Sequence, residues 1–556
     1  MRRAERHDRP RRAGGLSVRG AGIALTTVAL LNAPAARGAL LSEPGSDLKL
    51  QLDTTVQYSQ AFRLKNRLQT LIADPNQDDG DRNFNRGLIS NRLDALSEFD
   101  LRYKDTAGLR VSGAGWYDSV YHGTNDNNSP TTANNISVPY NEFNKHTRLL
   151  HGGDAEILDA LVFANERIGS MPATIRLGRH SLLYGESLFF GNNGIAGGQS
   201  PIDAIKLLSV PNSQFKEIIR PVEQASAQLQ VLTNLAIGGY YQFQWHPTRI
   251  PSEGSYFSTA DVLEGGERFL FGPVNPVTRL GPAANRDRDL RPENSGQGGV
   301  QARWRPEGHD LELGLYAIRY HDKTPQAYLF PLEGRYQLVY PEGIRAYGTS
   351  FSTQIGDANV AGEASVRRNT PLVSDVSIIG VNLPAGTTGD NNGKPLYAVG
   401  NSAHAQLSSI YLAPPTALWA TASFLGEVAW NRRTSITRNP NALAANSSRD
   451  AWAMRFIFES TWYQVAPALD LSAPIGLGYS SHGNSSVVGL FNPGGRSGGD
   501  LSVGVKAVYK QNWHFGVNYT HYFGSAGTVL NSLGQYTFKQ SLADRDFVSL
   551  SAQTSF

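Results

Sequence analysis

Arginines and acids recur at alternate positions along this 556-residue chain. Arg92, Asp94, Glu98, Asp100 and Arg102 form one run, and Arg110 and Asp118 follow in the next. Later come Arg176, Glu312, Glu363 and Arg367, Glu427, Arg455 and Glu459, and Lys506. A period of two puts such residues on one face of an extended strand. Facing a water-filled lumen, Arg92, Glu98, Arg102, Arg110, Arg176, Glu363, Arg455 and Glu459 would select ions or solutes. Paired with one another, the same charges would stiffen a wall. The signs are nearly balanced, and both roles stay open. A second group is aromatic: Tyr184, Phe189 and Phe190, with Glu186 between them, fall in a glycine-rich stretch with Asn192, Asn193, Asp203, Lys206 and Arg220. Rings beside few charges suit amphipathic or aromatic solutes better than simple ions.

Catalytic chemistry finds no comparable set. The chain has no G-x-S-x-G elbow, and in GYSSHG (Gly478 to Gly483) the adjacent Ser481 and His482 project to opposite strand faces. DPNQDDGD (Asp74 to Asp81) begins like a calcium loop, but Asp79 stands where that loop needs glycine and Asn85 where it needs glutamate. It reads as a solvated acidic loop, with weak external Ca²⁺ binding as the lesser alternative. The twelve histidines show no zinc-type spacing, and there is no cysteine for a thiolate site or a disulfide. The expectation is a protein that is not an enzyme, with no catalytic residue, no metal ligand and no cofactor.

The elements that must position these side chains are strands. In the last ten residues, FVSLSAQTSF, Val548, Leu550, Ala552, Thr554 and Phe556 alternate with Ser549, Ser551, Gln553 and Ser555. Leu48 to Tyr58 and Leu501 to Tyr509 alternate in the same way. No apolar run reaches the roughly 18 residues of a spanning helix. Short connections at 104–108, 166–172, 233–234, 305–310 and 355–359, and in LAPPT, QVAPA and KQN, alternate with long ones. The long ones run roughly 64–87, 122–153, 181–222, 246–296, 322–343, 368–401, 432–450, 481–499 and 524–543. Short turns at one rim and long loops at the other, with about eighteen strands, predict an all-β fold: a closed antiparallel transmembrane β-barrel. It would be one domain over residues 39–556. Tyr103, Trp462, Tyr463, Tyr509 and Trp513 near short turns fit an aromatic girdle. Pro474 inside a strand predicts a bulge. The third long loop, 181–222, is the candidate to fold inward and constrict the lumen; the alternative is a loop packed on the rim.

The first 38 residues read as a cleaved leader, with a basic n-region, an apolar Ala21 to Leu31 and small-residue cleavage sites after Ala35 or Gly38. Arg-Arg pairs at 2–3 and 11–12 invite a twin-arginine reading, but no folded-cofactor signal accompanies them, so the general secretory route is expected. The leader holds eight of the 51 basic residues and two of the 48 acidic ones, so the remaining chain is net −3 rather than +3. A nucleic-acid partner is not expected from that charge.

Several stretches resemble a known family. IRLGRHSLLYGESLFFGNNGIAGGQSPIDAIKL (Ile175 to Leu207), SNRLDALSEFDLRY, GTSFSTQIGDANVAGEASVRRNTPL and GGDLSVGVKAVYKQNWHFGVNYTHYFG are similar to outer-membrane proteins grouped as domain of unknown function 1302. The resemblance covers roughly 48–260 and 344–556. It implies a large barrel of the Gram-negative outer membrane, often encoded beside transporters of the resistance-nodulation-division type, and it carries over no catalytic residue. Together these readings predict a porin-like channel for small, aromatic or amphipathic molecules. Its partners would be outer-membrane lipid and lipopolysaccharide, the solutes themselves and an inner-membrane transporter system. A non-conducting barrel serving an export or surface-lipid system is the alternative, and an outer-membrane hydrolase a minor one.

Overall fold

Each alternating segment pairs antiparallel with the next, so the order along the chain is also the order around the sheet. The computed structural model describes residues 39–40, 45–210, 214–489, 491 and 494–556, and the expected leader lies outside them. The first six strands are β1 (Leu48–Arg63), β2 (Gly87–Tyr103), β3 (Ala107–Asp118), β4 (Gly153–Ile168), β5 (Met171–His180) and β6 (Val222–Leu232). Then follow β7 (Leu235–Gln242), β8 (Gln297–Trp304), β9 (Leu311–Tyr320), β10 (Ile344–Ile355), β11 (Ala358–Pro371) and β12 (Val399–Ala413). The last six are β13 (Thr421–Arg438), β14 (Asp450–Ala466), β15 (Leu469–His482), β16 (Gly499–Tyr509), β17 (Trp513–Phe523) and β18 (Phe547–Ser555).

β18 returns to β1 in continuous register from Thr55↔Ser555 to Arg63↔Phe547, which closes the sheet into an 18-stranded barrel. The terminal Phe556 continues that ladder, exchanging two backbone hydrogen bonds with Thr54 at 2.8 and 2.9 Å. Beyond it, Ala39 and Leu40 pair with Leu52 and Gln51. Closure leaves no row of unpaired N–H and C=O groups, the condition for a sheet to sit in lipid.

The two faces separate by parity. Val503 and Val505 on β16 and Leu407 on β12 point out, about half exposed, while His404, Gln406 and Ser408 on β12 and Ser502 on β16 are buried inside. Tyr103 and Tyr463 near the short turns are exposed, and Lys104 and Lys510 lie over the rings of Tyr103 and Tyr509 at 5.3 Å. Trp513 is instead buried and stacks on Phe515.

Two expectations are corrected, on Pro474 and on the acidic segment Asp74 to Asp81. Pro474 makes no bulge: Phe458↔Ile475, Glu459↔Pro474 and Ser460↔Ala473 run without a register shift, and the ladder to β16 simply skips Ala473 and Pro474. The missing proline N–H is met by omitting ladder bonds rather than by inserting a residue. The long connections after β7, β9 and β11 also contribute a five-stranded sheet from Arg268–Leu270, Ala283–Arg286, Gln326–Phe330, Arg335–Val339 and Ser377–Ile378. Its hairpin 326–339 turns on Gly334 at φ +64° and buries Tyr328, Leu329, Leu338 and Val339. That is why these loops hold alternating aromatic and aliphatic residues. The acidic segment Asp74 to Asp81 is not solvated: Asp78, Asp79 and Asp81 are buried under neighbouring loops.

Candidate functional site in the lumen

The connection from His180 to Val222 leaves β5 and is fastened across the lumen to β11, β12 and β13. Two inward glutamates do most of this. Glu363 on β11 accepts from the backbone N–H of Glu186 and of Ile195, each at 2.8 Å, and from the Ser187 hydroxyl. Glu427 on β13 accepts from the N–H groups of Leu188 at 3.2 Å, Phe189, and Phe190 at 2.8 Å. Neither carboxylate has an ion pair among the described residues; consecutive backbone dipoles offset its charge, as in anion-binding nests. The carbonyls of the same turn are taken by Arg367, which donates to Asn192, Asn193 and Gly194 at 2.8, 2.9 and 2.8 Å. The loop's polar backbone is thereby satisfied inside the barrel, the requirement for burying a loop at all.

Glycine is needed here for a stated reason. Gly185 sits at φ +85°, and a Cβ at Gly185 or Gly194 would overlap the Glu363 carboxylate. The glycine-rich composition lets the backbone come close enough to be gripped. Asn193 completes the attachment: its side chain contacts His404 at 3.1 Å, accepts from Asn431 at 3.1 Å and donates to Gln406 at 3.2 Å. At its return, the loop is tied by Arg220 and Arg249, both 2.6 Å from Glu156, with Arg249 also 3.1 Å from Asp203.

The residues singled out from sequence separate into groups. Tyr184 is buried against Tyr240 and Tyr316 with ring centroids 5.5 and 5.8 Å away, and burial pushes its phenol up, so it stays neutral. Phe190 packs on Phe491 at 5.5 Å. Glu186 lies 3.4 Å from Arg303, which also pairs with Glu312. Glu363 grips the loop. Arg92 pairs with Asp94 at 2.7 Å, and Arg110 gathers Glu98, Asp100 and Asp159. Arg455 meets Asp500 through two bonds of 3.1 and 2.8 Å, and Glu459 lies 2.8 Å from Lys506. Arg102 and Arg176 are exposed, and neither makes an ion pair among the described residues.

Between the loop and the wall of β14 to β17 lies a cavity of about 110 Å³. Phe189, Phe190, Phe215, Phe491 and Tyr522 line it, with the Arg455–Asp500 pair as its charged feature. A second, polar cavity of about 370 Å³ sits at the short-turn rim beside Arg303, Arg305 and Glu312. His404, Gln406, Asn431 and Asp500 were not singled out from sequence. The alternation HAQLS in β12 is a signal that could have put His404 and Gln406 on one face, but nothing in it points to Asn193. An aromatic cavity with one neutralised ion pair can hold a flat apolar group and offer a cation or a carboxylate to a polar substituent.

A family model described as protein of unknown function (DUF1302) matches residues 20–556, including the middle loops. No curated protein sequence matches. Among solved structures, OccAB4 of Acinetobacter baumannii is 8% identical, with 91% of this chain and 98% of that chain covered and a TM-score of 0.43. OccAB1 of the same organism is 9% identical, with 94% and 99% covered and a TM-score of 0.41. OccD3 (OpdP) of Pseudomonas aeruginosa is 10% identical, with 94% and 95% covered and a TM-score of 0.39. Likenesses this remote leave function to be argued from this chain's own geometry.

Proposed function

The chain belongs to the DUF1302 family, and we propose that it is an outer-membrane channel for small aromatic or amphipathic molecules, narrowed by its third long loop. A closed barrel with an apolar outer face has only lipid as a suitable solvent, and eighteen strands enclose more space than wall side chains can fill. Lipid and lipopolysaccharide would surround the belt, while solutes pass inside. The observation that carries the reading is the fastening of the loop's backbone by Glu363, Glu427 and Arg367 while Phe189 and Phe190 face the remaining gap. Paired charges such as Arg110 with Glu98 and Arg455 with Asp500 would hold the wall in shape. The exposed Arg176, with no ion pair among the described residues, would then supply a free cation to the passage.

The test is single-channel conductance of the folded chain in a planar bilayer, with aromatic carboxylates and aliphatic carboxylates of equal size as blockers. Stepwise openings, blocked more strongly by the aromatic set, are expected, and F189A should weaken that difference. A barrel that inserts but never conducts would overturn the channel reading. Equal blockade by both sets would overturn the aromatic preference.

A further inference from the structure

The buried acids of the outer cap bear on a different chemistry. Asp78 and Asp79 belong to the connection between β1 and β2, and Asp261 to the connection between β7 and β8, yet one carboxylate oxygen from each lies within 4.8 Å of the other two. All three residues are at most 2% exposed. Burying three like charges together is costly unless something cationic compensates them. Arg82 pairs with Asp78, while Arg63 and Arg545 are engaged by Asp81 and Asp544. Among the described residues, no basic side chain pairs with Asp79, Asp261 or the neighbouring buried Glu253. Asp79 is instead surrounded by Asn127, Thr132 and Asn134 of the connection between β3 and β4. An independent observation is that Asp78 Oδ1 and Asp261 Oδ1, fully buried, accept no hydrogen bond from any described residue. Native proteins rarely leave such oxygens without a partner.

We infer that Asp78, Asp79 and Asp261 form a binding site for a divalent cation of the calcium class, which ties the first, second and fourth long connections together across the barrel mouth. The donors are all hard oxygens, which excludes a preference for zinc or copper. The three oxygens lie within 4.8 Å of one another, close enough to share one ion, and a hard cation of the calcium class with Ca–O distances of about 2.3–2.6 Å tolerates such an irregular carboxylate set. Without a cation, burial and the neighbouring carboxylates raise the pKa of Asp78 and Asp261, and burial also raises that of Asp79. The motif DPNQDDGD therefore fails as a contiguous calcium loop because its remaining ligand comes from a residue far along the chain.

The test is Ca²⁺ binding to the full folded chain in detergent after chelator treatment, measured by calorimetry, with Mg²⁺ as competitor. One saturable Ca²⁺ per chain is expected, with the affinity reduced more than tenfold in D78N/D261N and unchanged in D105N, which alters an exposed acid at the opposite rim. Heat-modifiable gel migration establishes that each variant is folded. Should the double variant not fold, D261N alone and Ca²⁺-dependent protection of the wild-type cap from limited proteolysis decide the matter. No saturable binding by the wild type, or undiminished binding by a folded D78N/D261N chain, would overturn the assignment. A metal-free cluster would reveal itself in another way: relief of repulsion would raise the melting temperature of D261N equally with and without Ca²⁺.

Discussion

Replacing both gripping glutamates, as E363Q/E427Q, should release the third long loop from the far wall without opening the barrel. Glu427 accepts three backbone N–H groups and Glu363 accepts two, plus one hydroxyl. A glutamine keeps one acceptor oxygen but turns an NH₂ group toward the remaining N–H donors, so at least one charge-assisted bond is lost at each site. A hydrogen bond to a charged group contributes about 1.5–3 kcal/mol, giving about 3–6 kcal/mol for the pair if the losses add. The two sites hold one loop, so the sum is an upper bound. Each loss of about 1.4 kcal/mol shifts the ratio of fastened to released loop tenfold, so the double variant moves it by at most roughly 10²–10⁴. In single-channel records the wild type should hold a steady level. The variant should switch to larger conductances and lose its preference for aromatic blockers. G194A, whose Cβ would overlap Glu363, should reproduce part of that behaviour, and E459Q, which alters only a pair with Lys506, should not. A folded double variant with wild-type level, noise and blockade would refute the argument that these carboxylates hold the constriction.

Three further outcomes follow from the same geometry. D500N leaves Arg455 beside the aromatic cavity with its counter-charge removed; reversal potentials should shift toward anions and anionic blockers should bind more tightly, and unchanged selectivity would count against that cavity as part of the path. R63M removes a fully buried guanidinium held by Asp81 and Asp544 at the seam where β1 meets β18. Leaving those acids uncompensated should cost about 3–5 kcal/mol, read as a lower denaturation midpoint by gel mobility or tryptophan fluorescence. Burial and then the Asp81 charge push the Asp544 carboxyl up to about 6 from its usual 3.8. A group that binds its proton more tightly when folded adds stability below its unfolded pKa and loses it as pH rises through the folded one. The melting temperature of the wild type relative to D544N, in chelator, should therefore fall between about pH 4 and pH 6, and a rise across that window would contradict the sign.

Period-two alternation is a local property, so the sequence by itself determined which face of each strand is apolar, where the short turns lie and that about eighteen strands alternate between short and long connections. The same locality explains why FVSLSAQTSF is legible as a closing strand: Leu550 must face outward and Phe547 inward whichever strand lies beside it. Pairing partners far apart in the chain are a different kind of information. Glu363 was legible as inward, but its role in gripping N–H groups 168 and 177 residues away depends on how the closed wall brings β11 opposite the loop. Tyr184 was legible as a loop aromatic, yet only packing decides that its ring is buried against Tyr240 and Tyr316 rather than left facing solute. Asp78 and Asp79 looked solvated because nothing in their own segment covers them. Folding sets Asp261 182 residues away against the backbone N–H of Asp79, and burial then reverses their meaning. Alternation fixes the direction of a side chain, whereas its partner is chosen by closure of the barrel and by loops that must satisfy their backbones once inside it.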